Sequence, residues 1–501
     1  VFTQVRLWDV LIHNYLLDKK VVIPPKKTSF KAQAYAGAYV KEPQVGGHNW
    51  VMSFDLNSLY PHLIMQYNIS PDTFVEGEYV QTDMDDMIDG IVPDFPKDKV
   101  LAANGHLFRK DKQGFLPEMM QTMYDERSLY KKEMIAAQKE LETIKDKGLR
   151  YEANKKISKY KNLQMAKKIQ LNSAYGALGN QYFRFFDVRQ AEAITLSGQL
   201  SIRWIEKKLN EYLNKLLSTE GEDYVIASDT DSVYITFDKL VDKVLSIREG
   251  ETEVSFRGRI VDFLDRVASE KVEPFIDKSY QDLADLMNAY EQKMVMAREV
   301  IADKGIWTAK KRYMLNVYDS EGVRFTETVK SSTPQACRDA LKEAIDITLN
   351  KTEEDVQKFI SDFKDEFLLL PFEDIAFPRS LSDLNKYDSN NEETLVLAKG
   401  TPIHVRGSLL YNHLIRKGGL EKRYQTIKDG EKIKFCYLKE PNGTGQNVIS
   451  IINNLPPEFA LEKFIDYDTQ FSKAFIEPIK IILDVIGWKT EKVVTLEDFW
   501  K

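Results

Sequence analysis

Asp229-Thr230-Asp231 sets two carboxylates two residues apart. On an extended strand such residues project to the same face. Anionic groups held that close repel and raise one another's pKa unless a cation lies between them. Asp55 poses a related problem, because it ends the apolar run Trp50-Val51-Met52-Ser53-Phe54, and a desolvated charge needs a partner. If the two stretches are neighbours, three carboxylates converge, and hard oxygen ligands of that kind suit Mg²⁺. Taken singly, each Asp is more often the cap of a turn.

The second group is basic. Between Lys145 and Lys168 stand nine Lys or Arg against two acidic residues. Lys168, Asn172 and Tyr175 fall at i, i+4 and i+7, one face of a helix, and Arg127 and Lys131 share a face in the same way. Two helices turning Arg and Lys toward one another make a clamp for a triphosphate, with Arg forking two phosphate oxygens. By charge count alone, a solvated face is the commoner outcome. Lys310-Lys311-Arg312-Tyr313, basic and aromatic just ahead of an apolar stretch, suits a strand end that meets a nucleic-acid backbone. From Lys399 to Arg423 there are six Lys or Arg against one Glu, with His404 and His413 between them. Such strips are common on soluble proteins.

These residues need elements to hold them. Val5, Trp8, Ile12 and Leu16 predict a helix over residues 1–20, broken by Pro24-Pro25 and followed by a basic loop. Residues 50–56 are apolar on both alternations, as in a strand buried on both faces. Residues 83–89, with four Asp, read as a solvated loop. The stretch from Pro117 to Ala177, interrupted near Lys147-Gly148, suits two antiparallel helices. Tyr224-Val225-Ile226 and Val233-Tyr234-Ile235 predict a hairpin with Asp229 to Asp231 at its tip. Beyond Ser331 the chain is helical again, then irregular from Pro378 to Pro402.

Composition bounds what these parts can build. With 501 residues, a prior of about three domains applies. At 43% apolar and 29% charged the chain has the makings of real cores and is no disordered or collagen-like sequence. A net charge of −7 argues against a histone-like protein but leaves room for a nucleic-acid enzyme with local basic strips. Cys337 and Cys436 are too few for a disulfide scaffold or a cysteine-built zinc site, which makes a reducing compartment the default. No apolar run nears the roughly 20 residues of a membrane span. The apolar start carries Arg6 and Asp9 and lacks a cleavage-type ending, so no signal peptide is read; the missing initiator Met suits a fragment or a processed product.

Taken together, the motifs resemble the family B DNA polymerases. Asp55-Leu56-Asn57-Ser58-Leu59-Tyr60-Pro61 is similar to motif A of that family, D-x-x-S-L-Y-P. Lys168-Ile169-Gln170-Leu171-Asn172-Ser173-Ala174-Tyr175-Gly176 is similar to motif B, K-x-x-x-N-S-x-Y-G. Asp229-Thr230-Asp231-Ser232 resembles motif C, Lys310 to Tyr313 the K-K-R-Y motif, and Tyr35-Ala36-Gly37-Ala38 the Y-x-G-G element. All stand in the family's order. Asn68 to Pro71, Gly176 to Asn180 and Lys330 to Pro334 look like the T-even-type bacteriophage branch.

The resemblance implies an α+β, right-hand polymerase fold with an antiparallel-sheet palm, two-helix fingers and a mostly helical thumb. Its divisions would be an N-terminal helix and linker remnant over 1–34, palm over 35–116 and 179–332, fingers over 117–178, thumb over 333–490 and a clamp-binding tail over 491–501. It implies attack of a primer 3′-hydroxyl on the α-phosphorus of a dNTP, assisted by two Mg²⁺ ions roughly 3.5–4 Å apart, with Mn²⁺ as a substitute. Asp55 and Asp231 would bridge both ions, with the Leu56 carbonyl on the nucleotide-bound ion and Asp229 a lesser ligand; Glu299 stands where the family keeps an acidic residue near the site. Ser58, Leu59, Tyr60, Arg127, Lys131, Lys168 and Asn172 would bind the nucleotide, Tyr60 also excluding a 2′-hydroxyl. Tyr175 and Gly176 would meet the nascent pair; Tyr35, Gly37, Lys310, Lys311, Tyr313, His404, Arg406 and Gly407 would meet primer-template DNA. Leu496, Phe499 and Trp500 resemble the tail by which such enzymes hold a sliding clamp. The cytoplasm of a bacterial host is the implied compartment, with no membrane partner.

The sequence also departs from the pattern. Ala227-Ser228 stand where Tyr-Gly often precedes motif C, and Ala38 replaces a Gly. The Asp-x-Glu set of a proofreading exonuclease is not found ahead of Asp55, so the expectation is a chain without 3′–5′ proofreading, split from an exonuclease polypeptide or truncated. Two other readings stay open on the residues: a two-metal nuclease or phosphatase, which needs no triphosphate clamp, and an inactive scaffold bridging DNA and clamp.

Overall fold

The structure, a computed structural model, describes residues 4–26, 34–318, 323–326, 329–388, 395 and 397–492. It is α+β and divides into two units: Val1–Glu42 with Trp50–Ile301, and Pro43–Asn49 with Ala302–Lys501. Among the described residues no helix is long and apolar enough to cross a membrane.

The first unit contains, in order, α1 (Gln4–Asp18), β1 (Gly46–Leu56, from Trp50 onward), α2 (Leu59–Gln66), β2 (Phe74–Tyr79), α3 (Met84–Ile88), β3 (Lys99–Leu101), β4 (His106–Arg109), α4 (Phe115–Thr143), α5 (Lys147–Leu178), α6 (Val188–Leu217), β5 (Val225–Asp229), β6 (Ser232–Thr236), α7 (Asp238–Val244), α8 (Glu253–Val267), α9 (Glu273–Leu286) and the start of β7 (Met296–Ala309). The strands β5, β6, β1 and β7 are neighbours in that order. The pairs β5–β6 and β6–β1 are antiparallel, with Asp55 opposite Ser232 and Asp229 opposite the same Ser232. Val51 to Phe54 are buried, as their two-sided apolarity predicts. Helices α2 and α9 pack on α6, which itself lies on β5 and β6.

The helical spacing at the start holds: Trp8, Ile12 and Leu16 are the buried face of α1. The two expected antiparallel helices are α4 and α5, packed on each other along their length. Their break falls at residues 144–146, where Asp146 caps α5 by accepting from the Leu149 N–H at 2.9 Å, and Lys147-Gly148 already belongs to the helix. Residues 83–89 are not a solvated loop. Asp83 accepts the N–H groups of Asp85 and Asp86, which starts α3 and turns Met87 and Ile88 into the core. The Asp-rich composition is that of a capped first turn.

The second unit holds the rest of β7, β8 (Arg312–Val317), β9 (Val323–Thr326), α10 (Gln335–Asn350), α11 (Glu353–Phe367), α12 (Phe372–Ile375), β10 (Phe377–Ser380), α13 (Leu384–Tyr387), α14 (Ile403–Lys417), β11 (Lys432–Tyr437), β12 (Val448–Ile451), α15 (Tyr467–Phe471) and α16 (Glu477–Val485). Strand β8 pairs antiparallel with β7 and β9, and β10, β11 and β12 form a second antiparallel sheet. Phe377 to Ser380 is thus a strand inside the stretch expected to be irregular; Phe377 stacks on Phe435 across the pair at 5.2 Å. The core includes a ladder of rings in which Phe363 meets Phe367, Phe471 and Phe475.

Candidate active site

Asp55, Asp229 and Asp231 all fall in the first unit. The hairpin β5–β6 turns at Thr230 and Asp231, with Thr230 at φ +60°, a left-handed setting unusual for a β-branched residue. Asp229 and Asp231 therefore do not share a strand face, contrary to the extended-strand expectation: one ends the strand and the other lies in the turn. The Leu56 N–H donates to the Asp231 carbonyl at 2.7 Å, fastening the end of β1 to that turn. A strap just ahead of β1 holds the other side. Thr230 N–H donates to the Tyr39 carbonyl at 3.0 Å, Lys41 N–H to the Ser228 carbonyl at 3.1 Å, and Lys41 Nζ to the Val225 carbonyl at 2.7 Å. The Lys41 ammonium also pairs with Glu206 at 2.6 Å and Asp223 at 2.8 Å.

Electrostatics report the convergence. Burial, then the charges of Asp231 and Glu299, push the Asp55 carboxyl up to about 7 against the opposing pull of Lys168. Two carboxylates and the ammonium from α5 thus act on one half-buried acid. Anionic oxygen under mutual repulsion of this kind fits a hard divalent cation. Among the described residues no three carboxylate, imidazole or thiolate groups are gathered closely enough to enclose an ion, so the expected trio of Asp55, Asp229 and Asp231 is not drawn into one cluster. Asp229 accepts from the Thr230 hydroxyl at 3.1 Å.

The segment after Asp55 turns toward α4. Ser58 takes φ +51° at the start of α2, and its hydroxyl accepts from Arg127 Nη1 at 3.0 Å. Asn57 Nδ2 donates to the Tyr124 hydroxyl at 2.6 Å, and the His62 ring stands edge-on to Tyr124 at 4.6 Å. Buried Leu59 anchors α2. Lys131, Lys168, Asn172 and Gly176 are exposed, whereas Leu171, Ser173 and Ala174 are buried, so α5 has the expected polar face and a packed back.

Three tyrosines from distant stretches gather beside these groups. The rings of Tyr60 and Tyr175 lie 4.8 Å apart, and Tyr35 meets Tyr175 edge-on at 6.4 Å. Burial and then the Asp231 charge raise the Tyr60 phenol. Gly179 closes α5 where the Tyr35 hydroxyl stands 2.2 Å from the position of a Cβ, so a side chain there displaces the ring. The Gly37 carbonyl accepts from Gln199 Nε2 at 2.6 Å.

In the second unit Lys310 and Lys311 form the β7–β8 turn, with Lys311 at φ +60°. Tyr313 stacks on Trp307 at 5.4 Å. On α14, Arg406 Nη2 reaches Asn447 at 3.3 Å, and the His404 carbonyl accepts from Ser450 Oγ at 2.9 Å. Gly407 is buried: its Cβ position is 2.7 Å from the Ser450 nitrogen, so it serves the close approach of α14 to β12. Leu496, Phe499 and Trp500 lie outside the described residues. Sequence reasoning missed Tyr124, His62 and the Lys41 strap. No local pattern marks them, because their partners are far away in the chain.

The DNA polymerase family B pattern matches residues 3–252. The chain belongs to that family. It is 34% identical to the DNA-directed DNA polymerase of Enterobacteria phage T4 over 99% of this chain, and 36% identical to that of Escherichia phage RB69 over all of it. A DNA polymerase of Pyrococcus glycovorans is 30% identical over 46% of the chain. The chain spans about 60% of the length of the two phage relatives.

Proposed function

We propose that the chain performs template-directed DNA synthesis, adding dNMP from a dNTP to a primer 3′-hydroxyl, as a replicative phage-type polymerase in the cytoplasm of a bacterial host. The observation that carries this is the combined action of Asp231, Glu299 and Lys168 of α5 on the half-buried Asp55 carboxyl, because acidic groups within electrostatic reach of a cationic helix suit a triphosphate and its counter-ions. Divalent cations, two Mg²⁺ with Mn²⁺ as substitute, would be held by Asp55, Asp231, the Leu56 carbonyl and, more weakly, Asp229; when bound they supply charge stabilisation for the attacking and leaving oxygens.

Arg127, Lys131 and Lys168 grip the triphosphate, and each strong preorganised donor is worth on the order of 10²–10³ in rate. Ser58 holds Arg127 ready, Leu59 seats the segment, and Asn172 lies along the nucleotide. Tyr60 packs under the sugar, where a 2′-hydroxyl clashes. Tyr175 and Gly176 lie beneath the nascent pair, with Tyr35 and Gly37 near the template. Swinging of the α4–α5 hairpin onto the sheet then commits a matched nucleotide.

In this reading residues 35–116 and 179–332 are the palm, 117–178 the fingers and 333–490 the thumb of a right hand. Lys310, Lys311 and Tyr313 contact the primer, and His404 and Arg406 the duplex further out, through phosphates and so without sequence preference. A sliding clamp held by Leu496, Phe499 and Trp500, and a proofreading exonuclease, are the proposed partners; the 501 residues would extend a primer and not trim it.

Primed template, Mg²⁺ and four dNTPs, with and without Asp231→Ala, test the proposal. Extension by the unaltered chain and its loss in the variant are expected. Degradation without extension points to a nuclease, and duplex binding without either reaction to a scaffold.

A further inference from the structure

Helix α1 stands apart from the carboxylate centre, yet it holds the base of the hairpin that carries the triphosphate-binding side chains. Trp8 is 1% exposed, and its indole Nε1–H donates to the Ser173 hydroxyl at 2.9 Å, which in turn donates to the Gln170 carbonyl at 2.8 Å. Ser173 is on the packed back of α5, next in sequence to Asn172 and five residues from Lys168. Just past its other end, Lys19 Nζ pairs with Glu118 of α4 at 2.7 Å. Between them Asp9 accepts from the Arg184 N–H at 3.1 Å, just beyond α5. One helix thus touches the root of both arms.

We infer that Trp8 is a positioning residue: its hydrogen bond to Ser173 fixes the rotation of α5 about its own axis, and with it the aim of Lys168 and Asn172 at a triphosphate. The leverage is geometric. A rotation of about 20° moves a side-chain tip ~6 Å from the helix axis by ~2 Å, and displacements of that size at a charge-binding group are costly to capture. The back of α5 is apolar at Leu171, Ala174, Ala177 and Leu178, contacts that resist separation better than rotation, and its Lys167 pairs with Glu126 of α4 through a part-exposed, flexible side chain. The buried indole N–H to hydroxyl bond is directional and supplies a rotational constraint against a separate helix.

The inference rests on the polymerase reading only for the identity of the nucleotide, so its test includes a binding measurement without turnover. In the full chain, Trp8→Phe keeps a ring and removes the donor, Ser173→Ala removes the acceptor, and Ile12→Val loosens α1 packing while leaving the bond intact. Calorimetry with inorganic tripolyphosphate and steady-state dNTP kinetics are run on each, with the melting temperature alongside. Trp8→Phe and Ser173→Ala are each expected to raise the tripolyphosphate Kd and the dNTP KM about three- to tenfold, with kcat and primer-template Kd changed less than about twofold. The double variant is expected to be no worse than either single, and Ile12→Val to lower the melting temperature without altering triphosphate affinity. Unchanged triphosphate affinity in both singles, penalties that multiply in the double, or an equal effect of Ile12→Val overturns the inference. A chain that binds tripolyphosphate as expected but extends no primer overturns the polymerase reading alone; one that binds none overturns both.

Discussion

The Leu56 N–H and the Asp231 carbonyl share a 2.7 Å hydrogen bond, so the end of β1 and the tip of the β5–β6 hairpin move as one piece. Because that bond is main-chain, removing a side chain at Asp231 leaves it intact. Asp231→Ala is therefore expected to keep or slightly raise the melting temperature of the metal-free chain, by relieving repulsion with Asp55. Extension is expected to fall by at least on the order of 10²–10³. A variant that melts well below the parent would show instead that the carboxylate supports the fold.

The Asp55 carboxyl, pushed up to about 7 from the ordinary 3.8, makes the metal-free stability depend on pH. Its folded value lies above its unfolded one, so its contribution is fully present below about pH 4 and is lost as pH rises through about 7. Melting curves of the metal-free chain and of Asp55→Asn are expected to converge toward low pH, with the parent falling behind as pH approaches 8. Added Mg²⁺, which requires the ionised carboxylate, is expected to stabilise the parent more at about pH 8 than at about pH 6. Equal stabilisation at both would contradict the assignment of Asp55 as a ligand.

Tyr60 is pinned between Tyr175, at 4.8 Å, and α6, where a Cβ on Gly198 would lie 3.4 Å from the Tyr60 ring. A ring so confined has little room to yield to a 2′-hydroxyl. Tyr60→Ala is expected to raise the efficiency of ribonucleotide relative to deoxyribonucleotide insertion about 10- to 100-fold. Single-nucleotide kinetics with matched dNTP and rNTP pairs read this directly, and an unchanged ratio removes the role.

Gly407 gives a prediction of the opposite kind. A methyl group there meets the Ser450 hydroxyl at 2.6 Å and the Ser450 and Ile449 backbone at 2.7 and 3.0 Å. Backbone cannot swing aside as a side chain does, so Gly407→Ala is expected to destabilise the second unit by about 1–3 kcal/mol. Denaturant titration measures this; a loss of DNA affinity with unchanged stability would instead return Gly407 to the DNA contacts.

Much of this was legible in the residues. The helix starting the chain, the two-sided apolar strand into Asp55, the α4–α5 hairpin and the β5–β6 pair all follow from periodicity and turn chemistry, which act within a few residues. Local pattern misled at residues 83–89, where four Asp suggested solvent but Asp83 caps a helix that buries Met87 and Ile88. It misled again at Asp229 and Asp231, because a strand rule was applied across what is a turn at Thr230. Nothing local marked the close approach of α14 to β12 that leaves no room for a side chain at Gly407.

By itself the sequence determined which chemistry was affordable: hard carboxylates in two separate stretches, a cationic helix face and aromatic residues in the order of one polymerase family. Tertiary structure alone decided that Asp231 and Glu299 act on Asp55, that Tyr35, Tyr60 and Tyr175 share one cluster, and that Trp8 reaches Ser173. The reason is range. Propensity and patterning act over a turn or two, whereas electrostatic fields and packing act through space between residues as far apart in the chain as Asp55 and Glu299.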